Sequence, residues 1–167
     1  MTRIKLTILF VLAIQLAHGQ IDFDLIKFRG LGFSLTKETV IKSFGQPKII
    51  HTNYECGFYD NSQPGGPYYQ LAFSNFNYIG SDKEPFILQT VTFDHSGKTK
   101  LQYGNKELSG LTRKSVFIEI FGEVAKKHFK ENPDDDLILL RSTYGDDGAM
   151  FIFKDGRLIK YEYWSPC

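Results

Sequence analysis

The sequence predicts an α+β fold made of two pseudo-repeated β-α-β-β-β units, each a helix packed on an antiparallel sheet. Three observations predict it. LTKETVIKSFG, residues 35–45, is nearly written again as LTRKSVFIEIFG, residues 111–122, and an internal repeat sets the architecture before any local signal does. Each copy is followed by runs in which apolar and polar residues alternate, the period of a half-buried strand. The chain of 167 residues also carries 15 Phe, 9 Tyr and 1 Trp, a composition that favours strands over helical bundles.

The first element is expected to be lost. Residues 1–19 read as a signal peptide: Arg3 and Lys5 precede an apolar run from Leu6 to Ala17, and Ala17-His18-Gly19 is a small-x-small cleavage pattern. That run is shorter than the roughly 20 apolar residues a membrane span needs, so no span is expected after cleavage. No cysteine lies near the expected cut to take a lipid. The product is expected to be exported, to the periplasm or the extracellular space. Loss of Arg3 and Lys5 leaves 18 basic residues of 20 against 19 acidic ones, and neither sign dominates enough to draw the chain to nucleic acid.

Residues 20–97 form the first expected unit and 98–167 the second, packed as one pseudo-twofold monomer. Short strands open the units at Ile26–Phe28 and Lys100–Tyr103. Ile26-Lys27-Phe28 aligns with Leu101-Gln102-Tyr103, and Phe33-Ser34 with Leu108-Ser109, Gly110 being an insertion. Each helix has a threonine N-cap candidate, Thr36 or Thr112, whose hydroxyl can accept from an orphaned backbone N–H. Val40 with Phe44, and Val116 with Ile120 and Phe117 with Phe121, build an apolar stripe at i, i+4 spacing. Gly45 and Gly122 end the helices in a conformation that glycine favours. A further helical stretch is predicted over 123–130, closed by Asn132-Pro133.

Strands are predicted at Tyr54–Tyr59, Tyr68–Asn75 and Phe86–Asp94, then at Asp136–Tyr144, Ala149–Lys154 and Arg157–Trp164. Asp155-Gly156 is a strong two-residue hairpin signal because both residues tolerate positive φ. Tyr54, Cys56 and Phe58, then Tyr69, Leu71 and Phe73, and Ile87, Val91 and Phe93, are expected to face the helices. The opposite faces carry Glu55, Tyr59, Tyr68, Gln70, Thr90 and Thr92, with Lys160, Glu162 and Trp164 on one face of the last strand. Only two cysteines are present, Cys56 and Cys167. An exported chain usually oxidises such a pair, and the alternative is two free thiols.

Ser34-Leu35-Thr36, Val40, Gly45 and Pro47 follow the spacing T-x3-V-x4-G-x-P. This resembles the helix signature of the SmpA/OmlA outer-membrane assembly lipoproteins and of the tandem-repeat β-lactamase-inhibitor proteins. The resemblance implies helical segments on an antiparallel sheet and, from the inhibitors, two fused units whose exposed sheet surface grips an enzyme. The second copy departs from the pattern, with an extra helical residue before Gly122 and no following proline. The lipidated cysteine of the assembly lipoproteins is absent.

Catalytic patterns are missing. His51, His95 and His128 have neither H-x3-H nor HExxH spacing, so no metal site is expected. Asp134-Asp135-Asp136 and Asp146-Asp147 lack the spaced pattern of a calcium loop. The glycines at 30–32 and 64–67 do not bridge a strand and a helix as a phosphate cradle would. A nucleophilic Cys56 competes with its own oxidation. The chain is therefore expected to be no enzyme and to need no cofactor. It is expected to bind another protein, as an inhibitor or immunity-type protein masking a secreted enzyme or toxin, with a cell-envelope assembly factor as the alternative. Tyr and Trp give large contact area at low entropy cost, so the candidate partner-binding residues are Tyr59, Tyr68, Gln70, Lys160, Glu162 and Trp164.

Overall fold

Two hairpins and two meanders, with helices between them, share out residues 20–167, which the computed structural model describes. The expected signal segment lies outside the described residues. Strand β1 (Gln20–Ile21) and a 3-10 turn (Phe23–Leu25) lead into the hairpin β2 (Ile26–Phe28) and β3 (Leu31–Gly32). Strand β4 (Ser34–Leu35), helix α1 (Lys37–Phe44) and the meander β5 (Lys48–His51), β6 (Tyr69–Ala72), β7 (Phe76–Gly80) and β8 (Phe86–Thr92) follow. The second half runs through the hairpin β9 (Lys100–Tyr103) and β10 (Lys106–Ser109), helices α2 (Lys114–Phe121) and α3 (Glu123–Glu131), and the meander β11 (Leu137–Ser142), β12 (Gly148–Lys154) and β13 (Arg157–Trp164).

The fold is α+β, with two largely antiparallel sheets. The large one has nine strands along the path β1-β11-β12-β13-β8-β7-β6-β5, and β4 pairs with β8. Only β1 against β11 is parallel within it. The small sheet runs β10-β9-β2-β3 and joins the two hairpins through β2 and β9, with Lys27 opposite Gln102. The two meanders meet where β8 pairs with β13, Val91 opposite Tyr161. Beside that junction each meander carries a bulge: Gln89 is the extra residue of β8 against Asn77 and Tyr78, and Ile159 that of β13 against Ile152 and Phe153.

Local signals account for much of this. The Thr36 hydroxyl accepts from the backbone N–H of Thr39 at 3.2 Å, and Gly45 closes α1 at φ 87°. Arg157 pairs with Lys154 across Asp155-Gly156, both at positive φ as a type I′ turn requires. Thr112 is not the N-cap it was expected to be. Arg113 occupies that position without a side-chain bond, and the Thr112 hydroxyl accepts instead from the Ser109 N–H at 2.9 Å. The β12–β13 hairpin takes over the start of α2, because Lys114 N–H donates to Gly156 O at 3.2 Å and Leu158 N–H donates to Thr112 O at 2.9 Å.

The strand expected at Tyr54–Tyr59 is absent. Residues 52–67 are irregular, Gly57 has φ 82°, and the first strand after α1 is β5. Strand β7 lies between the strands expected at Tyr68–Asn75 and Phe86–Asp94, where none is predicted, because Phe73 N–H turns back onto Phe76 O at 2.9 Å. The bulge at Gln89 also changes the face of β8. An extra residue reverses the alternation, so Phe86 and Leu88 reach the core together with Val91 and Phe93, whereas Ile87 does not.

The helices lie over the inner face of the large sheet. From α1, the Phe44 ring packs edge-on against Phe76 at 5.0 Å and stacks on Tyr78 at 5.8 Å. From α2, Phe117 lies 4.9 Å from Phe151 and 5.3 Å from Phe153, and Phe121 lies 4.9 Å from Tyr103 of the small sheet. One continuous cluster holds Phe28, Val40, Leu71, Leu88, Val91, Phe117, Phe151 and Tyr161, and burial of that apolar area is the main stabilising term. Where the chain turns from β10 into α2, Gly110 is buried, and a Cβ there would overlap the Asp94 carbonyl oxygen. Gly110→Ala is expected to destabilise by about 1–3 kcal/mol, the usual range for forced overpacking. Unchanged denaturant midpoints would mean that the 94–95 segment moves aside freely.

Candidate binding surface

The outer face of the large sheet is built by the residues that alternate with the core positions. Across the paired strands they align in rows. One row runs Asn77, Thr90, Glu162, Met150, Leu139 and a second runs Thr92, Lys160, Ile152, Leu137. Side chains on the β11–β12 side are apolar and those on the β7–β8 side are polar. Between them, Lys160 Nζ donates to Glu162 Oε2 at 2.6 Å, each side chain about one third exposed (35% and 30%).

A third row holds Trp164, Gly148 and Arg141. The glycine between the two large residues is buried, and a Cβ on it would sit 3.0 Å from the Leu139 side chain. Across it the Arg141 guanidinium reaches to 4.3 Å from the Trp164 ring, within cation–π range. The Arg141 Nη1 also donates to Asp146 O at 3.0 Å. Trp164 is thus a half-buried, oriented ring with one face covered by a cation.

Of the six candidate residues, Lys160, Glu162 and Trp164 share this face on β13, and Gln70 lies on the same face of β6, half-buried. Tyr59 and Tyr68 go elsewhere. Tyr68 is only 2% exposed, its hydroxyl donates to Glu84 Oε2 at 2.9 Å, and its backbone N–H is bonded to Asn61 Oδ1 at 2.8 Å. The Tyr59 ring packs edge-on against Tyr68 at 5.2 Å and against Tyr163 at 6.0 Å. Both are therefore interior supports of the 52–67 loop. Cys56 and Cys167 form the disulfide that ties this loop to the chain end.

Arg141, Met150, Ile152 and Leu139 belong to the face and were not among the residues singled out from sequence. Their strands alternate cleanly, so the signal was there, but attention to Tyr, Trp and the polar residues beside them passed over the apolar rows and Arg141. Tyr54 was placed on the wrong element. From the loop its hydroxyl accepts from Gln89 Nε2 at 3.1 Å and from Gln70 Nε2 at 3.4 Å, over one end of the face.

Burial raises the pKa of the Tyr59, Tyr68, Tyr78, Tyr161 and Tyr163 hydroxyls. Those of Tyr59, Tyr78, Tyr161 and Tyr163 stand well above the usual phenol range, and that of Tyr68 is pushed up to about 12, helped by its bond to Glu84. A folded-state pKa above the unfolded value of about 10 stabilises fully below that pH and is lost as pH rises through the folded value. An alkaline unfolding transition is therefore expected between about pH 10 and 12, with phenolate absorbance and loss of Trp164 fluorescence structure moving together. Phenolate absorbance that completes while the fold persists would contradict it.

Among the described residues no three His, Cys, Asp or Glu side chains gather as a metal-binding group. No helix among them is long and apolar enough to cross a membrane. No family model matches the chain, and neither a curated protein nor a solved structure does.

Proposed function

We propose that this is an exported protein-binding module that grips a partner protein with the outer face of its large sheet, as an inhibitor or immunity-type protein masking a secreted enzyme or toxin. The observation that carries this reading is the make-up of the face. A held tryptophan, an arginine laid on it and a central ion pair sit beside the apolar rows of Met150, Ile152 and Leu139. Interfaces combine aromatic, Met and Arg anchors with a polar rim in this way. The helices and the small sheet already cover the opposite face.

The two-unit architecture belongs to the same proposal. Both junctions between the halves are antiparallel, so each admits a local twofold, one between Lys27 and Gln102 and one between Val91 and Tyr161. Gln89 and Ile159, each two residues before the second junction, are both bulged. Phe44 on Phe76 and Tyr78 is matched by Phe121 on Phe151. This is the arrangement that the resemblance to tandem-repeat inhibitors implies. The disulfide accords with an oxidising compartment.

The test is capture from the native envelope and medium with the mature chain beside its Glu162→Lys and Lys42→Glu variants. A partner held by the parent chain and by Lys42→Glu, but lost by Glu162→Lys, supports the face. A partner held equally by all three removes it.

A further inference from the structure

We infer that the Cys56–Cys167 disulfide is a redox latch, and that the strap it holds, residues 53–58, opens on reduction to lengthen the exposed sheet face. The strap spans two fixed points. At its start the Thr52 hydroxyl donates to Tyr68 O at 2.9 Å, and at its end Tyr59 packs on Tyr68 and Tyr163. Between them there is no helix or strand. The strap meets the sheet through the Tyr54 hydroxyl, which accepts from Gln70 and Gln89. It meets the chain end through the disulfide and through Phe58 N–H, which donates to Ser165 Oγ at 3.3 Å.

What lies beneath is unusual for this face. Gln89 is 8% exposed although its neighbour Thr90 is half-buried and Thr92 is exposed. Its amide is satisfied by Tyr54 and by Gln70, whose Nε2 donates to Gln89 Oε1 at 2.9 Å. A polar pair closed off by a surface strap loses only one partner when the strap leaves, and water replaces that partner. The strap itself keeps apolar groups in solvent, with Tyr54 42% and Phe58 43% exposed. Both cysteines are exposed, so a thiolate can reach the bond.

The exchange needs a dithiol reductant. Its first thiolate attacks one sulfur of the bond, giving a mixed disulfide and releasing the other cysteine as a thiolate, which takes up a proton. The reductant's second thiol then displaces the bound cysteine. Cys56 and Cys167 end as thiols and the reductant ends as a disulfide, so two electrons and two protons have moved. No residue of the strap or of the 165–167 tail belongs to the hydrophobic core cluster, and both sheets keep all their ladders.

Hydrogen exchange followed by mass spectrometry on the mature chain, with and without dithiothreitol, tests this. The amides that the strap holds, Phe58 N–H on Ser165 Oγ, Asp60 N–H on Gly57 O and Asn61 N–H on Tyr54 O, are expected to exchange at least about ten-fold faster after reduction, the mark of local opening, while β6–β8 and β11–β13 are unchanged. Cys167→Ser should show the same open pattern without reductant. The inference is overturned if strap exchange is unaffected by reduction, if protection falls throughout the chain at once, or if Cys167→Ser fails to fold. Because no partner enters the experiment, its outcome is separate from that of the binding proposal.

Discussion

Phe117→Ala is expected to remove roughly 3–5 kcal/mol of folding stability, the range for deleting a buried aromatic ring from a packed core. Phe117 is fully buried and has ring neighbours at 4.4 Å (Phe121), 4.9 Å (Phe151), 5.3 Å (Phe153) and 6.4 Å (Phe129). It is the one fully buried residue of α2, so the cavity left behind would loosen both second-half helices from β12. Equilibrium denaturation should show a lower midpoint with little change in slope. Val116→Ala, one position along and 40% exposed, should cost under about 1 kcal/mol because little area leaves water there. Equal losses at the two positions would mean that α2 does not sit on the sheet as described.

Trp164→Ala is expected to weaken partner binding by about 2 kcal/mol or more, near thirty-fold in Kd, as truncated aromatic anchors do. Its cost to folding should stay near 1 kcal/mol, since its specific tie is the exposed cation–π contact with Arg141. Tyr68→Ala should behave in the opposite way. Its ring is buried and its hydroxyl bonded, so truncation creates a cavity and strips Glu84 of a donor, and loss of folding stability precedes any effect on binding. Titration calorimetry beside thermal melts separates the two. A Trp164→Ala chain that binds like the parent while losing several kcal/mol of stability would make the ring structural.

The proposed binding face was legible only in part. Lys160, Glu162 and Trp164 could be read from alternation along β13, because residues at i, i+2 and i+4 share a side whatever the strand pairs with. Tyr68 could not. Its parity puts it on the outer face, but it lies just before β6, where the 52–67 loop folds back over it and Asn61 claims its N–H. Arg141 and Trp164 are 23 positions apart in the numbering and meet only because Gly148 stands between them in the register. No spacing rule carries that.

Sequence alone determined what one segment settles for itself: the Thr36 and Gly45 boundaries of α1, the Asp155-Gly156 hairpin, and the strands Ile26–Phe28, Lys100–Tyr103 and Arg157–Trp164. Caps, turns and alternation act over four or five residues, and their energetics are complete within that reach. Tertiary structure decided the rest. Tyr54–Tyr59 alternates like a strand, yet it finds no ladder because β5 already occupies the edge of β6 and the disulfide draws Cys56 toward the chain end. Thr112 gave up its cap because the β12–β13 turn supplied a carbonyl to the first turn of α2. The bulge at Gln89 reset which side of β8 is buried, since Leu88 and Val91 both gain the core only if one residue is left over. Each of these choices compares contacts between segments far apart in the chain, and that comparison exists only once the segments have met.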